Sequence, residues 1–258
     1  MSTNEIAALP SVQQRAIFEG LFFQRSAYPF IGIEPPVFLS ETAAALAKWI
    51  VTDTRDLTAL YREPLAIVAE NVCRRLANLE LYALTIRHEI ENASPWRAST
   101  IVGSLLVGLF GSAKSLLDAG SVALTVAFSL PLANKEQDFA KAKFWTILRS
   151  NYPTVAECYE SFRPLMHEIA EWRDSAVHRA TPLVFVDANP AEFGDRAPEE
   201  VGPGTLPLRM PALPGIDFGT LPPGSPRFIE PLQKWTDWRP NLLVFAQCVC
   251  NNIISRLP

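Results

Sequence analysis

Apolar residues recur at intervals of three and four along most of the chain, the pattern of helices that bury one face. A short helix is predicted over residues 11–24. Longer ones follow from Ser40 to about Asn92, with a break near Glu63-Pro64, and over about 97–129, as one helix or a bent pair. A connector and a short helix precede Tyr152-Pro153. The pattern therefore predicts a mainly α-helical fold.

The best-specified helix is predicted between Thr154 and residues 178–180. Thr154 and Glu157 have the spacing of a capping box, and Pro164 predicts a kink or a join. Pro182 disfavours a helical conformation at Thr181, so the helix should end shortly before it. Apolar residues spaced by three and four form one predicted packing stripe: Val155, Cys158, Phe162, Leu165, Ile169, Trp172 and Ala176.

The character of the chain changes over residues 181–231, which contain 11 of the 22 prolines and 6 of the 12 glycines. The segment PLVFVDA is compatible with one strand, and the rest predicts a long irregular excursion. This region has seven acidic residues against three arginines, which leaves 20 acidic and 20 basic residues elsewhere. The net charge of −4 excludes an extended basic surface for binding nucleic acid, but it is compatible with a local basic pocket.

Length and composition predict one domain over residues 1–258, since 258 residues at 48% hydrophobic can bury a full core. Its predicted parts are an N-terminal helical extension (1–60), a helical core (66–180), the acidic Pro/Gly-rich excursion (181–231) and a C-terminal helix (232–257). The last of these contains LLVFAQCVCNNII and is expected to pack back on the body.

The cysteine spacing and the N-terminal residues indicate where in the cell the protein is expected. The four cysteines form no CxxC pair, which favours buried free thiols in a reducing compartment. The N-terminal residues lack the basic start and apolar run of a signal peptide. Lys114 and Asp118 divide the most apolar region into pieces of about 14 residues, which are short for a bilayer. We therefore expect two buried helical segments there, a cytoplasmic protein and no membrane contact.

Two weak motifs favour structural interpretations. GLFGSAKS resembles a phosphate-binding loop, but Ser112 and Ala113 separate glycine from lysine, so small residues that permit close helix packing are the better explanation. A polar stripe at helical spacing, more typical of a solvated helix face than of a metal site, comprises His167, Glu171, Asp174 and His178. Neither a metal nor a cofactor is predicted.

Arg173 stands out on a helical wheel. With Ile169 as the origin, Arg173 falls at about +40°, inside the apolar arc, whereas Asp174 and His178 fall at about 140° and 180°. An arginine directed at a core must be paired or reach a cavity. On an ideal helix Arg173 and His178 are held apart. We therefore expect local unwinding or a second subunit to bring them together.

The segment from Arg173 to His178 resembles the R-[N/D]-x-x-x-H form of the Rx4–6H motif of HEPN domains. The resemblance covers about residues 66–180, and the motif lies at the end of a long helix, as in that family. It implies a HEPN-like helical bundle and a homodimer in which both motifs line one cleft. It also implies a metal-independent endoribonuclease of the toxin–antitoxin or phage-defence type, with RNA as substrate and a cognate antitoxin or regulatory protein as a possible partner.

The chemistry suits these side chains. Histidine transfers protons near neutral pH, which fits attack of a ribose 2′-OH on the adjacent phosphate at His178. On this resemblance we expect Arg173 to hold phosphate oxygens, Asp174 to orient His178 or pair with an arginine, and Arg179 to contact the RNA backbone. The alternative is a non-catalytic helical binding or regulatory module, with Arg173 ion-paired and His178 near the helix C-terminus, where a cation is favoured.

Overall fold

The computed structural model describes residue 23 and residues 27–53, 63–178, 182–188, 201–214 and 226–257. The predicted helix over 11–24 therefore falls almost wholly outside the described residues. Within these ranges lie eight α-helices: α1 (Tyr28–Ile31), α2 (Val37–Asp53), α3 (Pro64–Asn92), α4 (Pro95–Ala127), α5 (Ala142–Asn151), α6 (Pro153–Glu160), α7 (Arg163–His178) and α8 (Gln233–Ile254). A 3-10 turn spans Asn134–Glu136. The mainly α-helical fold is confirmed.

The Pro/Gly-rich excursion contains more regular structure than its composition predicts. Phe185–Val186 (β1), Leu208–Pro211 (β2) and Phe228–Ile229 (β3) form a three-stranded antiparallel sheet in the order β1-β2-β3. Arg209 lies opposite Phe185, and Met210 lies opposite Ile229. The strand predicted in PLVFVDA is present, and β2 and β3 are two further short strands that the composition does not predict. Strands of two to four residues among prolines are too short to show a periodic pattern.

The chain divides into two compact units. The first comprises Met1–Asn78, Ser115–Arg163 and Asn241–Pro258, and the second Leu79–Lys114 and Pro164–Pro240. The first unit is built around aromatic packing: Phe139 contacts Phe144, Tyr159 and Phe245 with ring centroids 4.9–5.9 Å apart. Trp145 Nε1 donates a hydrogen bond of 2.7 Å to the Phe139 carbonyl, so the buried indole is satisfied.

The second unit has a core of its own. Phe110 of α4 packs against Trp172 of α7 and Trp238 of α8, with ring centroids 5.2 and 5.7 Å apart. The Glu80 carboxylate, only 7% exposed, accepts a hydrogen bond of 2.8 Å from Arg239 Nε. A buried carboxylate is costly unless it is paired, so this ion pair helps to fix α8 against α3.

The helix predicted to begin at Thr154 is two helices. Its capping box is not formed, because α6 begins at Pro153 with Tyr152 as N-cap and no side-chain cap hydrogen bond. The helix breaks at Ser161-Phe162, just before Pro164, as the proline predicted. The break shifts the packing register, so Ala156 and Tyr159 are buried. Three members of the predicted stripe are therefore not buried: Val155, Cys158 and Leu165.

The most apolar region forms one continuous helix, α4, rather than two segments. Among the described residues, α4 alone is long and apolar enough to cross a membrane, although a core helix passes the same test, and 44% of its most apolar window is buried. A Cβ at Gly108 would lie 2.4 Å from the Tyr82 ring. Close packing, rather than a phosphate loop, thus explains that glycine. Absence of membrane contact stays a prediction.

Candidate functional site

The last two turns of α7 place the predicted site residues on the second unit. The buried residues of α7 are Met166, Ile169, Trp172, Ser175 and Ala176. Among them, Trp172 packs against Phe110 of α4. Arg173, Asp174 and His178 project from the same two turns toward solvent, and the exposed fractions of the Arg173 and Asp174 side chains are 36% and 56%.

The three polar side chains form one cluster, which we call the Arg-Asp-His cluster (Arg173, Asp174 and His178). Arg173 Nη1 lies 2.7 Å from Asp174 Oδ1 and 3.3 Å from His178 Nε2. A guanidinium can only donate hydrogen bonds. If Nη1 donates to Nε2, that nitrogen is the acceptor, and the imidazole proton resides on Nδ1. In that tautomer the Nε2 lone pair accepts from Arg173, and it is free to act as a general base only when the guanidinium moves off it.

This geometry corrects the expectation from the helical wheel. The wheel placed Arg173 toward the core and His178 on the opposite side, so that distortion or a second subunit was required. Instead, α7 is helical through His178, and the two side chains meet within one chain. The residues are separated by about 7.5 Å along the axis and about 140° around it, which the flexible stem of arginine spans.

The neighbouring face of α7 carries a second charged contact that the sequence did not predict. Lys234 Nζ of α8 lies 2.6 Å from Glu168 Oε1 and 5.6 Å from the centroid of the Trp172 ring. This lysine is 18% exposed, so the contact is only partly screened by solvent. Its partners lie more than 60 residues away along the chain, beyond the range of any periodic signal.

A groove of about 590 Å³ lies beside the sheet of the second unit. Its lining includes one cation from β2 and one from α8, Arg209 and Lys234, and two acidic residues, Glu230 and Asp237. Arg209 pairs with Asp187 and Glu230 at 3.3 and 3.4 Å. The groove thus offers balanced charges, not a uniformly basic surface. Phe228, 43% exposed, contributes an apolar wall.

In the part of the chain that the structure describes, no group of three or more His, Cys, Asp or Glu side chains is arranged to hold a metal ion. Arg179, predicted to contact RNA, lies outside the described residues.

No protein-family model, curated protein or solved structure matches this chain.

Proposed function

We propose that this protein is a metal-independent endoribonuclease with a HEPN-like fold, in which Arg173 and His178 carry the chemistry. The observation that supports the proposal is the 3.3 Å approach of Arg173 Nη1 to His178 Nε2 on a solvent-facing helix end. A cation beside an imidazole in an accessible position is the pair that in-line attack of a ribose hydroxyl needs.

In the proposed reaction, the Arg173 guanidinium turns from His178 Nε2 to the phosphate, and the freed Nε2 takes the proton of the 2′-OH as that oxygen attacks the adjacent phosphorus. Arg173 binds the non-bridging oxygens, where negative charge accumulates. The 5′-oxygen leaves with a proton, and the other product carries a 2′,3′-cyclic phosphate. Asp174 accepts from Arg173 and holds the guanidinium beside the imidazole.

One cluster contains one histidine, whereas the reaction benefits from both a base and an acid. We therefore include a homodimer in the proposal, with His178 of a second copy protonating the leaving oxygen. A cytoplasmic location and a cognate antitoxin or regulatory partner belong to the same proposal. Sedimentation equilibrium tests the dimer, since a monomer at assay concentration would remove the source of the acid.

The experiment is cleavage of single-stranded RNA by the purified full chain in excess chelator. We expect cleavage by the wild-type chain, a 10²–10⁴-fold lower rate with His178→Ala, and unchanged cleavage with His167→Ala. His167 is the matched control because it is an exposed histidine on the same helix. A DNA strand of the same sequence should stay intact, because it has no 2′-OH. Equal rates for His178→Ala and the wild-type chain would refute the assignment.

The second candidate is a non-catalytic binding module, and the groove beside the sheet favours it. An apolar wall at Phe228, together with cations and carboxylates, suits a peptide of mixed charge. In that case the wild-type chain does not turn over RNA, and a bound peptide partner is lost with Phe228→Ala but kept with His178→Ala.

A further inference from the structure

Two of the four thiols meet near the surface of the first unit. Cys158 of α6 and Cys248 of α8 have their Sγ atoms 3.9 Å apart. Cys158 is exposed and Cys248 half-buried, whereas Cys73 and Cys250 are fully buried. The expectation of free thiols therefore holds for all four cysteines, and the expected burial holds for Cys73 and Cys250 but not for Cys158 and Cys248.

We propose that Cys158 and Cys248 are a redox-reactive thiol pair that closes to a reversible intramolecular disulfide when a peroxide reaches the protein. A disulfide has an S–S length of about 2.05 Å, so each sulfur must move by about 1 Å. Rotation of two side chains can supply that movement without separating the helices. The proposal is independent of the ribonuclease proposal.

Packing next to the pair holds the two helices in register. Tyr159 of α6 and Phe162, just after α6, contact Phe245 of α8 with ring centroids 5.8 and 5.6 Å apart. Asn252 Nδ2 donates a hydrogen bond of 3.1 Å to Tyr159 Oη, one turn beyond Cys248 on α8. These contacts lie on both sides of Cys248 on α8 and directly after Cys158. The packing therefore holds together the two backbone segments that carry the thiols.

The greater exposure of Cys158 sets the order of the two oxidation steps. The Cys158 sulfur, as thiolate, attacks one peroxide oxygen; an S–O bond forms, the O–O bond breaks, and the departing hydroxide becomes water. Cys248 then attacks the sulfenic sulfur of Cys158 and gives up its proton; the S–S bond forms and a second water leaves. Two thiols are oxidised and one peroxide is reduced.

Proximity, and not acidity, makes Cys248 the second thiol to react. Burial and the neighbouring Cys158 raise the pKa of Cys248 to about 11, which disfavours its thiolate, but its Sγ lies 3.9 Å from the sulfur that it must attack. Cys250 lies two residues further along α8, and burial raises its pKa to about 12. Because it is also inaccessible, Cys250 is the matched thiol that should stay reduced.

The bond would join residues separated by 90 positions, a closure that constrains the unfolded chain strongly. That loop includes all of α7. We therefore expect the oxidised protein to unfold at a higher temperature than the reduced protein. The upward shift should vanish on addition of dithiothreitol.

The experiment treats the reduced full chain with one equivalent of hydrogen peroxide, then unfolds it in guanidinium so that the buried thiols are accessible, alkylates the remaining thiols and maps the peptides by mass spectrometry. We expect the intact mass to fall by two hydrogens, a Cys158–Cys248 cross-linked peptide, and alkylation of Cys73 and Cys250. Dithiothreitol should restore four alkylated cysteines. Cys250→Ser should keep the cross-link, whereas Cys158→Ser and Cys248→Ser should each lose it.

Three results would overturn the proposal. The first is alkylation of all four cysteines after peroxide treatment. The second is sulfinic acid at Cys158 with Cys248 still alkylated, which shows that the second thiol does not react in time. The third is a cross-link between two chains through Cys158. Oxidation of the guanidinium-unfolded chain is the reference, because there the pairings should be mixed.

Discussion

The two sides of α7 differ in what they contact. On the packed side, Trp172 is 5% exposed and lies against Phe110, while Ile169 is fully buried. On the solvent side, the side chains of the Arg-Asp-His cluster contact one another, and the Arg173 side chain is 36% exposed. Trp172 and Arg173 are adjacent in sequence, so one helix presents both a packed face and a polar, exposed face.

The difference between the two sides predicts which substitutions lower the free energy of unfolding and which change activity. Burial of a large aromatic side chain contributes several kcal/mol, whereas an exposed ion pair contributes about 0–1 kcal/mol. Substitutions on the packed side should therefore unfold the protein. Substitutions in the cluster should change activity and leave the fold intact.

The largest change in stability is expected for Trp172→Ala. Removing the indole leaves a cavity beside Phe110 and should lower the free energy of unfolding by about 3–5 kcal/mol. Denaturant titration measures the change. Val177→Ala is the control on the same helix, because Val177 is 47% exposed, and it should change stability by less than about 0.5 kcal/mol. Equal losses in the two variants would contradict the division of α7 into two sides.

An intermediate effect is expected at Lys234, which lies at the border of the packed side. Lys234→Ala removes both the hydrogen bond to Glu168 and the cation over Trp172, and should lower the free energy of unfolding by about 1–2 kcal/mol. Lys234→Met keeps most of the apolar stem and should lose less. Lys141→Ala, at an exposed lysine, should be neutral in the same titration. An unchanged Lys234→Ala variant would mean that the contact does not fix α8 against α7.

The smallest change in stability is expected for Asp174→Asn. The variant removes the carboxylate beside Arg173 and keeps the size of the side chain. Since the pair is exposed, the free energy of unfolding should change by less than about 0.5 kcal/mol. RNA cleavage should fall less than with His178→Ala, because Asp174 positions Arg173 and does not transfer the proton. A loss as large as that of His178→Ala would show that Asp174 has a more direct part.

Periodicity predicted the long helices because each buries one face over many turns. Periodicity gave wrong predictions where an element is only a few residues long or where contacts with other elements decide its position. The break at Ser161-Phe162 turned the predicted stripe through Cys158 outward, and strands such as Phe185–Val186 are too brief for a period to appear. A local capping pattern at Thr154 was likewise overridden when α6 began at Pro153.

The geometry of the candidate site could not be predicted from the sequence, and the role of its residues stays a prediction. The motif named Arg173, Asp174 and His178, while the wheel separated two of them because it follows Cα positions and ignores side-chain reach. Lys234 gave no local signal, since its contacts with Glu168 and Trp172 arise only when α8 packs on α7. Cys248 was misjudged for the same reason, because its nearest sulfur is 90 residues away.

The most direct test of the central claim is a double-mutant cycle on RNA cleavage with Arg173→Ala, His178→Ala and both together, in excess chelator. If the two side chains act as one site, each single variant loses most of kcat/KM, and the double variant loses no more than the worse single variant. The unfolding free energies of all three should match the wild-type value within about 0.5 kcal/mol. Wild-type kcat/KM in His178→Ala, or losses that simply multiply in the double variant, would contradict a shared site.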